Sequence, residues 1–232
     1  MTYCMSDIHG EYEKFIKMLE VIDLKDDDTL YILGDVLDRG KDPIKTMLKI
    51  MEMPNVELLI GNHELMLLEL EKKGLERILT SDIDDLEEGV LEALMNWVYN
   101  GSSPTIDQLR ALTPEQQEDV IDHIKNALAY EQLTVNGQKF LLVHAGLMNF
   151  DRETDISEYA LYEMVWARPD LSEPYFDDVY TVIGHTPTQL VEECDTPGRI
   201  FKKNNFIMID CGCSMGGSLG CLRLDDMKEF YV

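Results

Sequence analysis

Five apolar runs of strand length in this chain each stop at a small cluster drawn from Gly, Asp, His and Asn. The clusters are SDIHG (6–10), GDVLDRG (34–40), GNHE (61–64), HAG (144–146) and GHTP (184–187). One such cluster after one buried strand is an ordinary turn. The same residue types after five strands demand that the strands run one way and end along one edge. In an open α/β sheet the carboxyl ends of the strands open on a common crevice, where ligands bind. Asp7, His9, Asp35, Asn62, His144 and His185 are therefore expected to meet there. Four of the five histidines fall in the clusters, and only His123 lies elsewhere, where a surface position is expected. Carboxylate, imidazole and amide oxygen form a mixed N/O donor set, which suits Mn, Fe or Zn better than the all-oxygen sites of Ca or Mg.

Periodicity between the clusters supports this arrangement. TYCMS (2–6), TLYILGD (29–35) and VELLIGN (56–62) read as strands. Tyr12, Phe15, Ile16, Leu19 and Ile22 recur at helical spacing; Pro43 opens a second helix that runs to Met53 before Pro54, and Gly74 closes a third. Alternating strands and helices predict parallel pairing with right-handed crossovers. Residues 75–132 change register: they are acidic and helical, with Thr113 as an N-cap and Pro114 at the first helical position. They are expected to form a helical insertion over the sheet, within a single domain spanning 1–232. Strand signals then return, with a hairpin at Asn136-Gly137. Further strands are expected in 179–184, 204–212, 218–226 and the final five residues, the last ones antiparallel.

Composition limits the partners. Forty-five acidic against 20 basic residues give a net charge of −25, a field that disfavours nucleic acid and anionic membranes. Five cysteines form no disulfide framework, and Cys211-x-Cys213 lacks the second pair or nearby His of a zinc site. No run reaches membrane-spanning length and the N-terminal stretch has no basic leader, so a reduced cytoplasm is expected.

The ordered set DxH, GDxxDRG, GNHE, HAG and GH resembles the signature of the metallophosphoesterase superfamily. GDVLDRG and GNHE resemble its serine/threonine phosphoprotein phosphatase branch, including bacterial and phage enzymes. The resemblance implies an α/β fold: a calcineurin-like β-sandwich flanked by helices on both sides. It also implies a dinuclear centre of two transition metals (Mn, Fe or Zn) and phosphomonoester hydrolysis by a water activated between them. By that resemblance Asp7 and His9 hold the first metal, Asp35 bridges both, and Asn62, His144 and His185 complete the second. His63 is then the acid beside the leaving group, oriented by Asp38. Arg39 binds phosphate, as does Arg168 in VWARPD, which resembles the Trp-x-Arg element of phage-type enzymes. Glu64 is left to cap its helix or hold the loop. The usual first motif carries Gly where this chain has Ser6, which implies a local backbone adjustment.

Phosphorylated proteins are the expected substrates. Symmetrical hydrolysis of diadenosine tetraphosphate is the alternative, because residues 94–109 resemble a segment shared by both kinds of enzyme. The charge of −25 weighs against so anionic a substrate. A non-enzymatic scaffold would betray itself by a lost ligand or a lost acid histidine, and none is lost.

Overall fold

The structure is a computed structural model that describes residues 1–80 and 86–232. Residues 81–85 of the expected insertion lie outside the described residues. Three strand–helix units come first: β1 (Thr2–Met5) with α1 (Tyr12–Ile22), β2 (Thr29–Ile32) with α2 (Pro43–Met51), and β3 (Val56–Leu58) with α3 (Asn62–Lys73). Four helices follow, α4 (Leu75–Leu79), α5 (Glu88–Tyr99), α6 (Ser103–Arg110) and α7 (Pro114–Lys125). The hairpin β4 (Tyr130–Val135) and β5 (Gln138–Val143) turns at Asn136-Gly137, both at positive φ. Then come α8 (Leu161–Val165), β6 (Val179–Ile183), β7 (Phe201–Lys203), β8 (Phe206–Met208), β9 (Gly220–Arg223) and β10 (Lys228–Tyr231).

The strands form two five-stranded sheets, ordered β10-β9-β1-β2-β3 and β4-β5-β6-β8-β7. β1, β2 and β3 pair in parallel, as do β5, β6 and β8, while the edges are antiparallel. Alternation along each strand divides its side chains between two cores. Tyr3, Met5, Leu30 and Ile32 pack beneath the helices, whereas Cys4, Leu33, Phe140, Leu142, Val182 and Ile207 fill the space between the sheets. Leu141, Val143, Ile183 and Phe206 face outward from the second sheet, against Met164 of α8 and the loop residues Leu147, Leu171 and Tyr175. The result is the layered sandwich implied by the motifs, with most helices on the first sheet and loops sharing the second sheet with α8. Among the described residues no helix is long and apolar enough to cross a membrane.

Several boundaries are tighter than the sequence reading, the 56–62 strand ending at Leu58 among them, and three differences are instructive. The 29–35 run is strand only to Ile32, because Gly34 and Asp35 turn away at positive φ. The helix opened by Pro43 ends at Met51, two residues short of Met53. The 204–212 run is not one strand: Asn204 and Asn205 take positive φ and form the turn between β7 and β8. Asparagine tolerates that conformation best after glycine, and here an Asn-Asn pair serves as a hairpin turn. At the capping box of α7, the Thr113 hydroxyl accepts from the Gln116 amide, as its sequence predicts.

Candidate active site

Every cluster leaves the carboxyl end of a parallel strand and bends sharply. Asp7, His9, Asp35, Asp38, Arg39 and His185 all have φ between 46° and 68°. They make up half of the twelve non-glycine residues at positive φ among those described. Such a conformation costs about 1–2 kcal/mol per residue, and its concentration here marks a site whose geometry overrides local preference. Two glycines make the approach possible. A Cβ on Gly61 would overlap the Asp35 carboxylate and backbone, and one on Gly184 would overlap Asp7 and abut the buried Ser6 hydroxyl. Ser6 thus fits where the usual motif has Gly because Gly184 leaves it room.

Asp7, His9, Asp35, Asn62, His63 and His144 are at most 2% exposed. Second contacts fix the imidazole tautomers. His9 donates through Nδ1 to the Leu37 carbonyl (2.8 Å) and His144 through Nδ1 to the Leu33 carbonyl (2.6 Å). Each Nε2 lone pair is thereby turned into the crevice. His9 Nε2 lies 3.6 Å from Asp35 Oδ2 and 4.0 Å from Asp7 Oδ1, with no hydrogen-bond partner. His144 Nε2 lies 3.4 Å from Asp35 Oδ1 and 3.0 Å from Asn62 Oδ1. His185 sits 2.8 Å from the same Asn62 oxygen through Nδ1, and its Nε2 is buried without a partner.

Lone pairs therefore face oxygen acceptors across two gaps, an arrangement that a cation in each gap would satisfy. Two donor groups emerge, His9–Asp35–His63 and Asp35–His144–His185, whose ligand atoms lie within 4.8 Å of one another. Asp35 belongs to both. Asp7 stands beside the first group and accepts the His185 amide at 3.0 Å through its other oxygen.

Electrostatics agree with a place for positive charge. Burial, then the Asp7 and Glu64 carboxylates, push Asp35 well above the usual carboxylate range. Burial, reinforced by His63 and Arg39, holds His9 well below the ordinary imidazole value. Burial, with His144 and Arg168, pulls His185 down to about 2. Neutral rings keep their lone pairs for a metal, so protons compete little at neutral pH. Chelator treatment is expected to lower the thermal midpoint, and Mn²⁺ at a hundred times its Kd to restore about 2.7 kcal/mol. Differential scanning calorimetry with and without the ion checks this.

His63, a member of the first donor group, is also the centre of a hydrogen-bonded constellation with Asp38 and Arg39. His63 Nδ1 is 2.6 Å from Asp38 Oδ2, and Arg39 Nη2 donates to His63 Nε2 at 3.0 Å. The ring proton therefore sits on Nδ1, shared with Asp38. Burial pushes the Asp38 carboxyl up to about 7 against the pull of its Thr105 and Trp97 hydrogen bonds. Burial, then the Arg39 guanidinium, holds His63 well below the ordinary imidazole value.

The insertion supplies the support. Trp97 of α5 donates to Asp38 Oδ2 (2.8 Å), Thr105 of α6 donates to Oδ1 (2.5 Å), and the Gly101 carbonyl accepts the Arg39 amide (2.9 Å). Thr105→Val is expected to cut turnover about ten-fold by loosening Asp38. A steady-state assay beside a circular dichroism spectrum checks that the loss is catalytic.

Four contributors go beyond the site residues assigned from sequence: Thr105, Glu64, Asp210 and Trp97. Glu64 does more than cap a helix: its two oxygens accept the amides of Asp35, Val36, Leu37 and Gly61 at 2.8–3.1 Å. It thereby clamps the loop that carries Asp35 and Asp38. Asp210, at the end of β8, is 3% exposed and accepts the Gly212 amide; burial and the adjacent Asp7 push its carboxyl well up. Its signal was present, since MIDCG ends an apolar run as the other clusters do. Trp97 gave none, because its partner lies 59 residues away. Arg168 alone stands apart from the predicted set, exposed at the rim beside a cleft of about 1100 Å³. The five cysteines are free and buried.

Comparison with known proteins follows the same lines. Residues 2–212 match the family model of calcineurin-like phosphoesterases. The symmetrical bis(5'-nucleosyl)-tetraphosphatase of Nitrosomonas europaea is 25% identical, aligned over 100% of this chain and 97% of that protein. The protein of the same name from Salmonella paratyphi A is 30% identical, over 100% and 93%. Among solved structures, one provisionally named a diadenosine tetraphosphatase superposes with a TM-score of 0.67 at 15% identity, covering 100% of this chain and 92% of that one. A Saccharomyces cerevisiae protein serine/threonine phosphatase gives 0.62 at 15% identity, over 100% and 78%. Those two likenesses bear on the fold alone. With all five strand-end clusters inside the matched span, the chain belongs to the calcineurin-like phosphoesterase family.

Proposed function

We propose that this phosphoesterase hydrolyses dinucleoside tetraphosphates symmetrically, releasing two nucleoside diphosphates. One observation carries the reading: the full-length relatives at 25–30% identity bear that name. The first expectation from sequence, phosphoprotein hydrolysis, becomes the second reading. What favours it is the acidic lining of the cleft beside Arg168, with Asp151, Glu153, Asp170 and Glu173, which suits a basic phosphopeptide.

Asp7, His9, Asp35, Asn62, His144 and His185 would hold two ions. Such ions, when bound, polarise a phosphoryl oxygen and lower the pKa of water. Arg39 is placed to turn its guanidinium from His63 to a phosphate oxygen, and Arg168 approaches from the rim. Release of Arg39 opens the His63 Nε2 lone pair, which would take up a proton from water to give an imidazolium paired with Asp38. That Nε2 proton passes to the departing oxygen and the ring returns to neutral, while Asp38 keeps the Nδ1 proton and the ring orientation. No cysteine takes part, since all five are buried and burial pushes the thiols of Cys4, Cys211, Cys213 and Cys221 up.

The test is product analysis with Mn²⁺ and either diadenosine tetraphosphate or a phosphoserine peptide. ADP as the sole nucleotide product is expected. Inert tetraphosphate with a dephosphorylated peptide would install the second reading, and ATP plus AMP would refute symmetrical cleavage.

A further inference from the structure

The organic part of the substrate needs a surface of its own, and one aromatic pair, the exposed Tyr162 and the half-buried Trp166, is anchored to the candidate metal donors. Trp166 meets His185 edge-on, ring centroids 5.7 Å apart at 86°. Tyr162, 56% exposed, lies 6.3 Å from Trp166 with the rings 37° apart. The pair is held in place: the Ala145 amide donates to the Met164 carbonyl (3.0 Å) and the Met148 amide to the Glu163 carbonyl (3.1 Å). These bonds tie α8 to the loop that carries His144. Arg168 follows Trp166 by two residues and lines the cleft. Phosphate-binding charge and an aromatic face thus share one short segment beside one half of the donor set.

We propose that Trp166 and Tyr162 form a stacking platform for a nucleobase of the substrate. The platform rests on the dinucleotide reading and gives that site its preference for a nucleoside over a bare sugar phosphate. A phosphopeptide would need no flat π-surface there. Part of Trp166 also packs against the helical core, so Tyr162, which is mostly exposed, provides the cleaner variant.

The test compares AMP with ribose 5-phosphate, which differ only by the base. Calorimetry on the full chain with Mn²⁺ gives the two Kd values, and indole emission is followed in parallel with Mg²⁺. The chain has two tryptophans, and Trp97 is fully buried on Asp38, so quenching by a base reports Trp166. Wild type is expected to bind AMP roughly ten-fold more tightly than ribose 5-phosphate, a typical yield of one stacked base, and to be quenched by AMP alone. Tyr162→Ala is expected to shrink that ratio to about two, and Trp166→Leu to about one. Equal Kd values in wild type, or no AMP binding, would overturn the platform even if ADP is released from the tetraphosphate. AMP selectivity with inert tetraphosphate would keep the platform and overturn the dinucleotide reading.

Discussion

Asp35→Asn is expected to lower turnover by at least about three orders of magnitude while the fold survives. Asp35 is the one carboxylate shared by both donor groups, with Oδ1 toward His144 and Oδ2 toward His9. Asparagine keeps the size but gives up the charge and one acceptor oxygen. Lewis-acid stabilisation supplies several kcal/mol of the barrier reduction, and each 1.36 kcal/mol is a factor of ten. The fold should hold because asparagine retains an oxygen for the His63 amide, which Asp35 Oδ1 accepts at 3.1 Å. Asparagine also tolerates φ of 55°. Steady-state rates in Mn²⁺, beside an unfolding curve, check both halves. Near-wild-type turnover would show that Asp35 is not the bridge.

His63→Asn carries the second large effect, and its size depends on the leaving group. A general acid contributes about 10²–10⁴-fold, the more so where the departing oxygen is the more basic. A nucleoside diphosphate leaves as a stabilised anion, whereas serine leaves as an alkoxide. The variant is therefore expected to lose about 10²-fold on diadenosine tetraphosphate and about 10⁴-fold on a phosphoserine peptide. Parallel kcat/KM measurements on the two substrates read this out. Equal losses would mean that His63 serves as a metal ligand rather than an acid, a role its membership of the first donor group makes concrete.

The chain announces its candidate metal donors because each sits one to four residues past a buried strand, in a polar residue type that breaks the apolar run. Parallel pairing then converts position in sequence into position in space. Glu64 shows the limit of that logic: next to His63 it was expected to cap the helix or hold the loop. It does hold a loop, but which one was not legible, since three of its four partners are amides 27–29 residues away. Backbone donors carry no side-chain signature, so such a clamp cannot be read from residue types. Thr105 and Trp97 stayed hidden for a similar reason, since their hydroxyl and indole matter only where helices α5 and α6 bring them onto Asp38. The Asn204-Asn205 turn was missed because β7 is only Phe201-Lys202-Lys203 and leaves no apolar run of its own, so the expected strand begins at the asparagines. Substrate class was the least legible of all. The motifs carry the residues that would hold metals and phosphate, while the surface proposed to meet the rest of the substrate lies in α8 and its loop, where Trp166 carries no motif beyond its spacing to Arg168.

Counting ions tests the central claim most directly, namely that the strand-end residues form a two-metal hydrolytic centre. Chelator-treated full-length protein is titrated with Mn²⁺ by calorimetry, with bound metal counted by elemental analysis and hydrolysis followed at each step. Two ions per chain are expected, with activity that rises as the second is taken up and binding disrupted in Asp35→Asn, as the two-metal claim requires. Full hydrolysis by a chain holding one ion or none, or two ions bound normally by Asp35→Asn, would contradict it.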